Sequence, residues 1–270
     1  MKKAAVLGSP ITHSLSPAIH NAAYRKLQFS GMYEAHEVSA NQLDAFLEAS
    51  LSENDWAGFS LTMPLKEQIC LSAERLGIEI DEQSKRISSA NTLFKVGTSW
   101  KATSTDVSGF EYLLNQKLIT RVAILGAGGT ARAVVDALPR ETKEIVIYRR
   151  NSRRDSELRF ALSEHKVQVR HWSEIESAWD YPVVINTVPN VACMEIESTF
   201  RRTNLLVDAL YSPWLPPLSR RQLEEGGELI TGIDLLCAQA IDQIRFMTGK
   251  EFDNKEMFEF LKHVALKALS

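Results

Sequence analysis

At the middle of the chain an apolar run meets a glycine-rich turn and then an amphipathic helical pattern: "VAILGAGGTARAVVDAL", residues 122–138. Gly126, Gly128 and Ala131 stand in G-x-G-x-x-A spacing, and Gly129 extends the glycine run. A strand that turns this tightly into a helix is the opening step of a dinucleotide-binding α/β unit. Gly126 permits the turn. Gly128 lets the backbone approach a pyrophosphate, which the free N–H groups of the helix N-terminus can bind. Ala131 lets helix and strand pack closely. A ligand-free βα turn needs similar glycines, but the flanking strand and helix together favour cofactor binding.

Such a unit begins near residue 121, so the residues before it must fold separately. They read as alternating strands and helices: "KAAVLG", then "SPAIHNAAYRKLQ" with Pro17 near the helix start, then "GMYEAHEV". A helix starting at Ser39 or Asn41 follows, then the strand "WAGFSLTM" stopped by Pro64, and a helix closed by Gly77. "NTLFKVGTSWKAT" reads as a hairpin turning at Val96, Gly97 and Thr98. After the glycine turn come the short apolar runs "EIVIYRR", "VQVRHW", "PVVINTV", "NLLVDAL" and "GELITG", the pattern of a parallel sheet covered on both faces. The tail from about 233 reads as helices broken near Gly249. The expected fold class is α/β, with two α/β units following one another and a seam near 100 to 120.

Composition excludes several function classes. In 270 residues, 44% hydrophobic and 24% charged, a net charge of −3 gives no electrostatic footprint for nucleic acid. Cys70, Cys193 and Cys237 are far apart and lack metal-ligand spacing, so a reduced, cytoplasmic setting and no metal are expected. "MKKAAVLG" starts like a signal peptide, but Ser9 and Pro10 cut the apolar run short, and no stretch approaches a membrane span. No membrane partner is expected, and the chain is compatible with a monomer or a homodimer.

The strand "EIVIYRR" bears on which dinucleotide fits. A site for NAD usually ends this strand with a carboxylate for the ribose 2′-OH. Here Tyr148, Arg149 and Arg150 stand at the end, followed by Asn151, Ser152, Arg153 and Arg154. Guanidinium groups grip a 2′-phosphate where a carboxylate would repel it, which points to NADP(H).

Polar residues of the first unit gather where strands end: Ser14 and Ser16, Thr62 and Lys66, Asn91, and Asp106. Each has an ordinary explanation alone. Ser14 or Ser16 can cap the following helix. Lys66 can be a surface lysine, although a helix start disfavours a cation. Asp106 can be a first-turn acid, with Ser108 and Glu111 forming a capping box.

Their order is more specific. "GSPITHSLSPAIHN", "LTMPLKE", "SANT", "TDVSG", "GAGGTARA", "DALYSPWLPPL" and "GIDLLCAQA" follow one another over residues 6 to about 250. In this the chain resembles the NADP-dependent shikimate dehydrogenases, which reduce 3-dehydroshikimate with NADPH in aromatic amino-acid biosynthesis. The resemblance implies two α/β domains around a cleft: residues 1–105 plus 237–270 for substrate, and a Rossmann-type domain, 106–236, for NADP. The resemblance implies that Ser14 and Ser16 bind the substrate carboxylate, and that Thr62, Asn91 and Gln239 contact ring hydroxyls or carboxylate. It makes Lys66 and Asp106 the pair beside the hydroxyl that becomes the ketone, and puts Tyr211 near the substrate. Gly232 and Leu235 fall in the stretch lining the nicotinamide, and Arg149, then Arg150, at the 2′-phosphate. The pattern departs from the family at Ser60 and Ser104, where Asn is common, at Leu235, where Met is, and at Tyr148, Arg149 and Arg150, where N-R-T is. Two rivals stand beside this expectation: a quinate-accepting enzyme, admitted by changes around Ser60 and Tyr211, and a non-catalytic sensor on the same scaffold. Retention of both Lys66 and Asp106 speaks against the sensor.

Overall fold

The computed structural model describes residues 1–152, 155–163 and 165–269, apart from the side chain of Glu157. Arg153 and Arg154 of the basic loop lie outside the described residues. The chain divides into two compact units: Met1–Gly109 with the segment from Leu236 onward, and Phe110–Leu235.

In the first unit a six-stranded mixed sheet has the order β2-β1-β3-β5-β6-β4. Its strands are β1 (Lys2–Gly8), β2 (Gly31–Glu37), β3 (Trp56–Leu61), β4 (Ile78–Ile80), β5 (Thr92–Val96) and β6 (Ser99–Thr103). β1 pairs in parallel with β2 and β3, and β5 runs antiparallel to both β3 and β6. β1 is buried on both faces, and the period-2 alternation of a strand explains how. Ala5 and Leu7 enter a core with Phe59, Leu65, Leu93 and Trp100. Ala4 and Val6 enter another with Ile11, Tyr24, Tyr33 and Met247. The helices are α1 (Ser16–Lys26), α2 (Leu43–Leu51), α3 (Leu65–Ser72), α4 (Glu82–Ile87) and α5 (Thr105–Leu114), whose last residues belong to the second unit. α10 (Gly232–Thr248) begins in the second unit and continues in the first, which α11 (Asn254–Leu269) completes.

Some elements differ from the sequence expectation. α2 starts at Leu43, because Ser39 Oγ and the Gln42 side chain close the preceding residues into a turn. α3 ends at Ser72, and Gly77, at φ +65°, terminates the turns beyond it. α4 was not anticipated; Asp81 caps it by accepting the Ser84 N–H at 2.7 Å. Neither Ser14 nor Ser16 is the N-cap of α1, although Ser14 Oγ accepts the Ser16 N–H at 3.3 Å. The capping box at Asp106 does not form: Ser108 lies inside α5 and donates its hydroxyl to Thr105 O.

The second unit holds a wholly parallel sheet ordered β12-β11-β10-β7-β8-β9. Its strands are β7 (Arg121–Leu125), β8 (Glu144–Arg149), β9 (Val167–His171), β10 (Val183–Asn186), β11 (Leu205–Asp208) and β12 (Glu228–Ile230). Counted within the unit this is the 3-2-1-4-5-6 order of doubly wound dinucleotide-binding folds, with the switch point at β7 and β10. α6 (Gly129–Ala137), α7 (Asp155–Ala161), α8 (Asn190–Ile196) and α9 (Pro217–Glu224) belong to this unit, with a 3-10 segment at Trp172–Asp180. Among the described residues no helix is long and apolar enough to cross a membrane.

Candidate functional site

In the first unit the structure brings Lys66, Asn91, Asp106 and Gln239 together. Lys66 is the second residue of α3, and Asp106 the second of α5. Lys66 Nζ donates to Asp106 Oδ2 at 2.6 Å, with side chains 19% and 5% exposed. A lysine in the first turn of a helix faces an unfavourable dipole. A nearly buried carboxylate supplies the opposite charge and holds the ammonium in one place.

Asn91 orients that carboxylate. Its Oδ1 accepts the Thr105 N–H at 2.7 Å, the Thr92 hydroxyl at 2.9 Å and the Thr105 hydroxyl at 3.1 Å. With donors on that side, the amide nitrogen must face the other way. Nδ2 donates to Asp106 Oδ1 at 2.9 Å and approaches Gln239 Oε1 at 3.4 Å. Gln239 is itself fixed by donating Nε2–H to Leu236 O at 2.8 Å.

A buried chain of side chains, of which the sequence singled out only Ser60, leads to the same point. Tyr33 donates its hydroxyl to Ser60 Oγ at 2.7 Å, and Ser60 donates to Gln243 Oε1 at 2.8 Å. Gln243 Nε2 donates to Thr92 Oγ1 at 3.1 Å, which leaves the Thr92 proton for Asn91. Every donor in the series points toward Asp106, and aligned hydrogen bonds reinforce one another in a low-dielectric interior. His20 closes the far end. It stacks on Tyr33 with ring centroids 4.0 Å apart and donates Nδ1–H to Ser16 O at 2.9 Å. Burial lowers the His20 pKa to about 4, so the ring is neutral at neutral pH.

The remaining first-unit candidates lie at strand ends. Ser16 is buried and Ser14 half-buried in the segment after β1. Thr62 follows β3, and its methyl covers Gly8, where any Cβ would collide with it. Ser60 is occupied by Tyr33 and Gln243. Ser104 is buried with no hydrogen-bond partner for its hydroxyl.

In the second unit Gly126 has φ +105°, and a Cβ there would sit 2.6 Å from Thr187 Oγ1. Only glycine fits that turn. Gly128 is the N-cap of α6; no side chain caps the helix, and its first turn contains no acid. Such an uncapped helix start offers backbone N–H donors to an anion, so the turn suits a dinucleotide pyrophosphate. Gly129 opens α6 and Ala131 is fully buried. Gly232 packs against the Leu210 backbone, where a side chain would collide, and Leu235 is buried.

β8 separates its last two side chains by strand alternation. Tyr148 turns inward to the core with Ala123, Leu125 and Val146, and its hydroxyl lies 2.7 Å from Ser177 Oγ. Arg149 takes the other face and forms a two-bond fork with Asp155, Nε to Oδ1 at 2.8 Å and Nη2 to Oδ2 at 2.6 Å. That contact holds the Asp155 carboxyl below the usual carboxylate range. Arg150 is more available: it is 49% exposed, 3.8 Å from Glu195 and 6.0 Å from the Trp172 ring centroid.

Tyr211, half-buried, follows β11 on a loop anchored by Asp208. Asp208 is fully buried and accepts from Asn186 Nδ2 (2.8 Å), Ser219 Oγ (2.7 Å) and Leu210 N (3.2 Å). Burial raises its pKa despite these donors. Asp208 lay in a quoted motif, but only the fold shows that it holds the loop.

Residues 6–93 match the family described as "Shikimate dehydrogenase substrate binding domain". A protein of an Exiguobacterium strain named "Shikimate dehydrogenase (NADP(+))" is 31% identical over 257 residues, 92% of this chain and 94% of that protein. Among solved structures, the shikimate dehydrogenase of Mycobacterium tuberculosis superposes with a TM-score of 0.83 at 32% identity, covering 100% of both chains. The Thermus thermophilus shikimate 5-dehydrogenase, solved in complex with NADP(H) and shikimate, gives a TM-score of 0.78 at 26% identity, covering 98% of this chain and 100% of that one.

Proposed function

The chain belongs to the shikimate dehydrogenase family, and from that premise we propose how its own residues carry out the NADP-dependent interconversion of 3-dehydroshikimate and shikimate. The observation that carries the reading is the Lys66–Asp106 contact at 2.6 Å, held by Asn91. When bound, the nicotinamide supplies or accepts the hydride at the ring carbon.

Reduction of a ketone places negative charge on its oxygen, which must be stabilised and protonated. Lys66, fixed as an ammonium against Asp106, stabilises that charge and delivers the proton from Nζ. Asp106 keeps the ammonium in position, and Oδ1, held by Asn91, resists rotation. In the oxidation direction Lys66 takes the hydroxyl proton back. Ser14 and Ser16 bind the substrate carboxylate through neutral hydroxyls. Thr62, Asn91, Gln239 and Tyr211 contact the ring substituents. Gly126, Gly128, Gly129 and Ala131 hold the pyrophosphate at the start of α6. Arg149 and Arg150 receive the 2′-phosphate, and Gly232 and Leu235 border the nicotinamide. The cofactor domain is then the second unit, Phe110–Leu235, a few residues shorter than the 106–236 expected, so that Asp106 stays with Lys66 in the substrate domain; the protein acts as monomer or homodimer in the cytoplasm.

Shikimate rather than quinate is favoured by Ser60. The hydroxyl that would accommodate an additional substrate group is already committed to Tyr33 and Gln243 and is 4% exposed. The test is a steady-state assay of nicotinamide reduction with shikimate and with quinate, each against NADP and NAD. Turnover of shikimate with NADP at the highest kcat/KM supports the reading. Equal use of quinate, or no turnover of either acid, overturns it.

A further inference from the structure

The sequence counts arginines at the end of β8, but the structure pairs the first of them. Arg149 gives one edge of its guanidinium, Nε and Nη2, to both carboxylate oxygens of Asp155. Both side chains are largely covered, at 15% and 22% exposure, so this is no loose surface contact. A guanidinium carries five N–H groups, and the fork uses two. The Nη1 side stays available to a second anion, but the cation facing that anion is already neutralised.

We propose that Asp155 sets the strength of cofactor discrimination by holding Arg149 in place while cancelling its charge. The proposal rests on the reading of Arg149 as a 2′-phosphate ligand. A phosphate on the Nη1 side would stand about twice as far from the carboxylate as from the guanidinium. Coulomb repulsion falls only as the inverse of distance, so the carboxylate would remove about half of the attraction that Arg149 offers. Arg150, with Glu195 at 3.8 Å, keeps more of its charge. The chain therefore prefers NADP, but by less than its arginine-rich loop implies.

Asp155 is a positioning residue here, and its removal has two opposed effects. Loss of the carboxylate restores the charge of Arg149, whereas loss of the fork frees the side chain to wander. Asp155→Asn separates them, because the amide keeps the shape and one acceptor for Nε–H while discarding the charge. Asp155→Glu keeps the charge.

The experiment measures dissociation constants for NADP and NAD by fluorescence or calorimetric titration of the full-length protein, at low and at physiological salt. The expected result for Asp155→Asn is NADP binding about fivefold tighter, NAD binding unchanged, and a steeper loss of NADP affinity with salt. Asp155→Glu should match wild type. Arg149→Ala tests the underlying reading and should weaken NADP at least about tenfold while sparing NAD. If Arg149→Ala behaves so but Asp155→Asn binds NADP no more tightly than wild type, the Asp155 proposal fails and the Arg149 reading stands. If Arg149→Ala leaves NADP binding intact, the reading fails and the proposal with it.

Discussion

Removing either member of the Lys66–Asp106 pair should give unequal losses of stability, and the inequality follows from burial. Asp106 is 5% exposed and Lys66 is 19% exposed, on a stem long enough to swing toward water. Lys66→Ala leaves a carboxylate in the interior with Asn91 Nδ2 as its side-chain donor. Breaking a buried pair from one side costs about 3–5 kcal/mol, reduced here to roughly 2–4 kcal/mol because water can enter where the lysine stem was. Asp106→Ala leaves an ammonium that can reorient, so the cost should be about 1–2 kcal/mol, the scale of one hydrogen bond to a charged group. The double variant Lys66→Met with Asp106→Leu removes both charges and should be near wild-type stability. Urea denaturation at neutral pH ranks the three. Turnover should follow a different order. Lys66→Ala and the double variant should both lose roughly two to four orders of magnitude in kcat, the range for a general acid. A Lys66→Ala enzyme with more than half of wild-type kcat would refute the catalytic assignment. An Asp106→Ala protein less stable than Lys66→Ala would refute the argument from burial.

Ser14→Ala and Ser16→Ala should each weaken substrate binding by about 1–2 kcal/mol with little change in NADP affinity; early melting with an unchanged KM for shikimate would instead assign these hydroxyls to the start of α1. His20 has a folded-state pKa of about 4, below its unfolded value of 6.5, so the unfolded chain binds more protons between them. Its contribution to stability is complete above about pH 6.5, is lost as pH falls toward 4, and amounts to at most about 3 kcal/mol. His20→Phe, which preserves a ring against Tyr33, should flatten the stability difference between pH 7 and pH 4.5, and an undiminished difference would exonerate His20. Tyr148→Phe should cost about 1 kcal/mol through the lost Ser177 contact and leave the NADP/NAD ratio of kcat/KM unchanged; a shifted ratio would place Tyr148 at the ribose.

What the sequence could convey depended on how local the signal was. The turn at Gly126 lies within six residues and is flanked by two periodic patterns, so the parallel unit could be anticipated from it. Lys66 and Asp106 were nameable through their motifs, but nothing in the sequence says how the carboxylate is held. Asn91 orients it using Thr92, Thr105 and Gln239, and Thr92 is set by Gln243. Those partners lie up to about 150 positions away, beyond any local pattern. Tyr33 stands out in no motif, because its hydroxyl acquires meaning only opposite Ser60. The pairing within the basic loop was hidden for another reason. Counting charges assigns each arginine its full value, whereas Asp155, six residues after Arg149, withdraws one. α4 escaped because it is six residues long, too short to display a period.

The opposed directions of Tyr148 and Arg149 bear on which changes of sequence this loop can survive. Exchange of one residue for another at position 149 or 150 alters only what the loop meets, and the strand beneath is undisturbed. Addition or loss of a single residue within β8 is different. It would rotate every later side chain of the strand to the opposite face, sending a guanidinium into the space filled by Val146, Leu125 and Ala123 and pushing the tyrosine ring out. A charge there has no partner and would unfold the sheet before it changed the cofactor. Variation among descendants of this chain should therefore be confined to substitution up to Arg149, with length differences tolerated only beyond it. A library that inserts single residues along 144–156 and selects for soluble protein would locate that border.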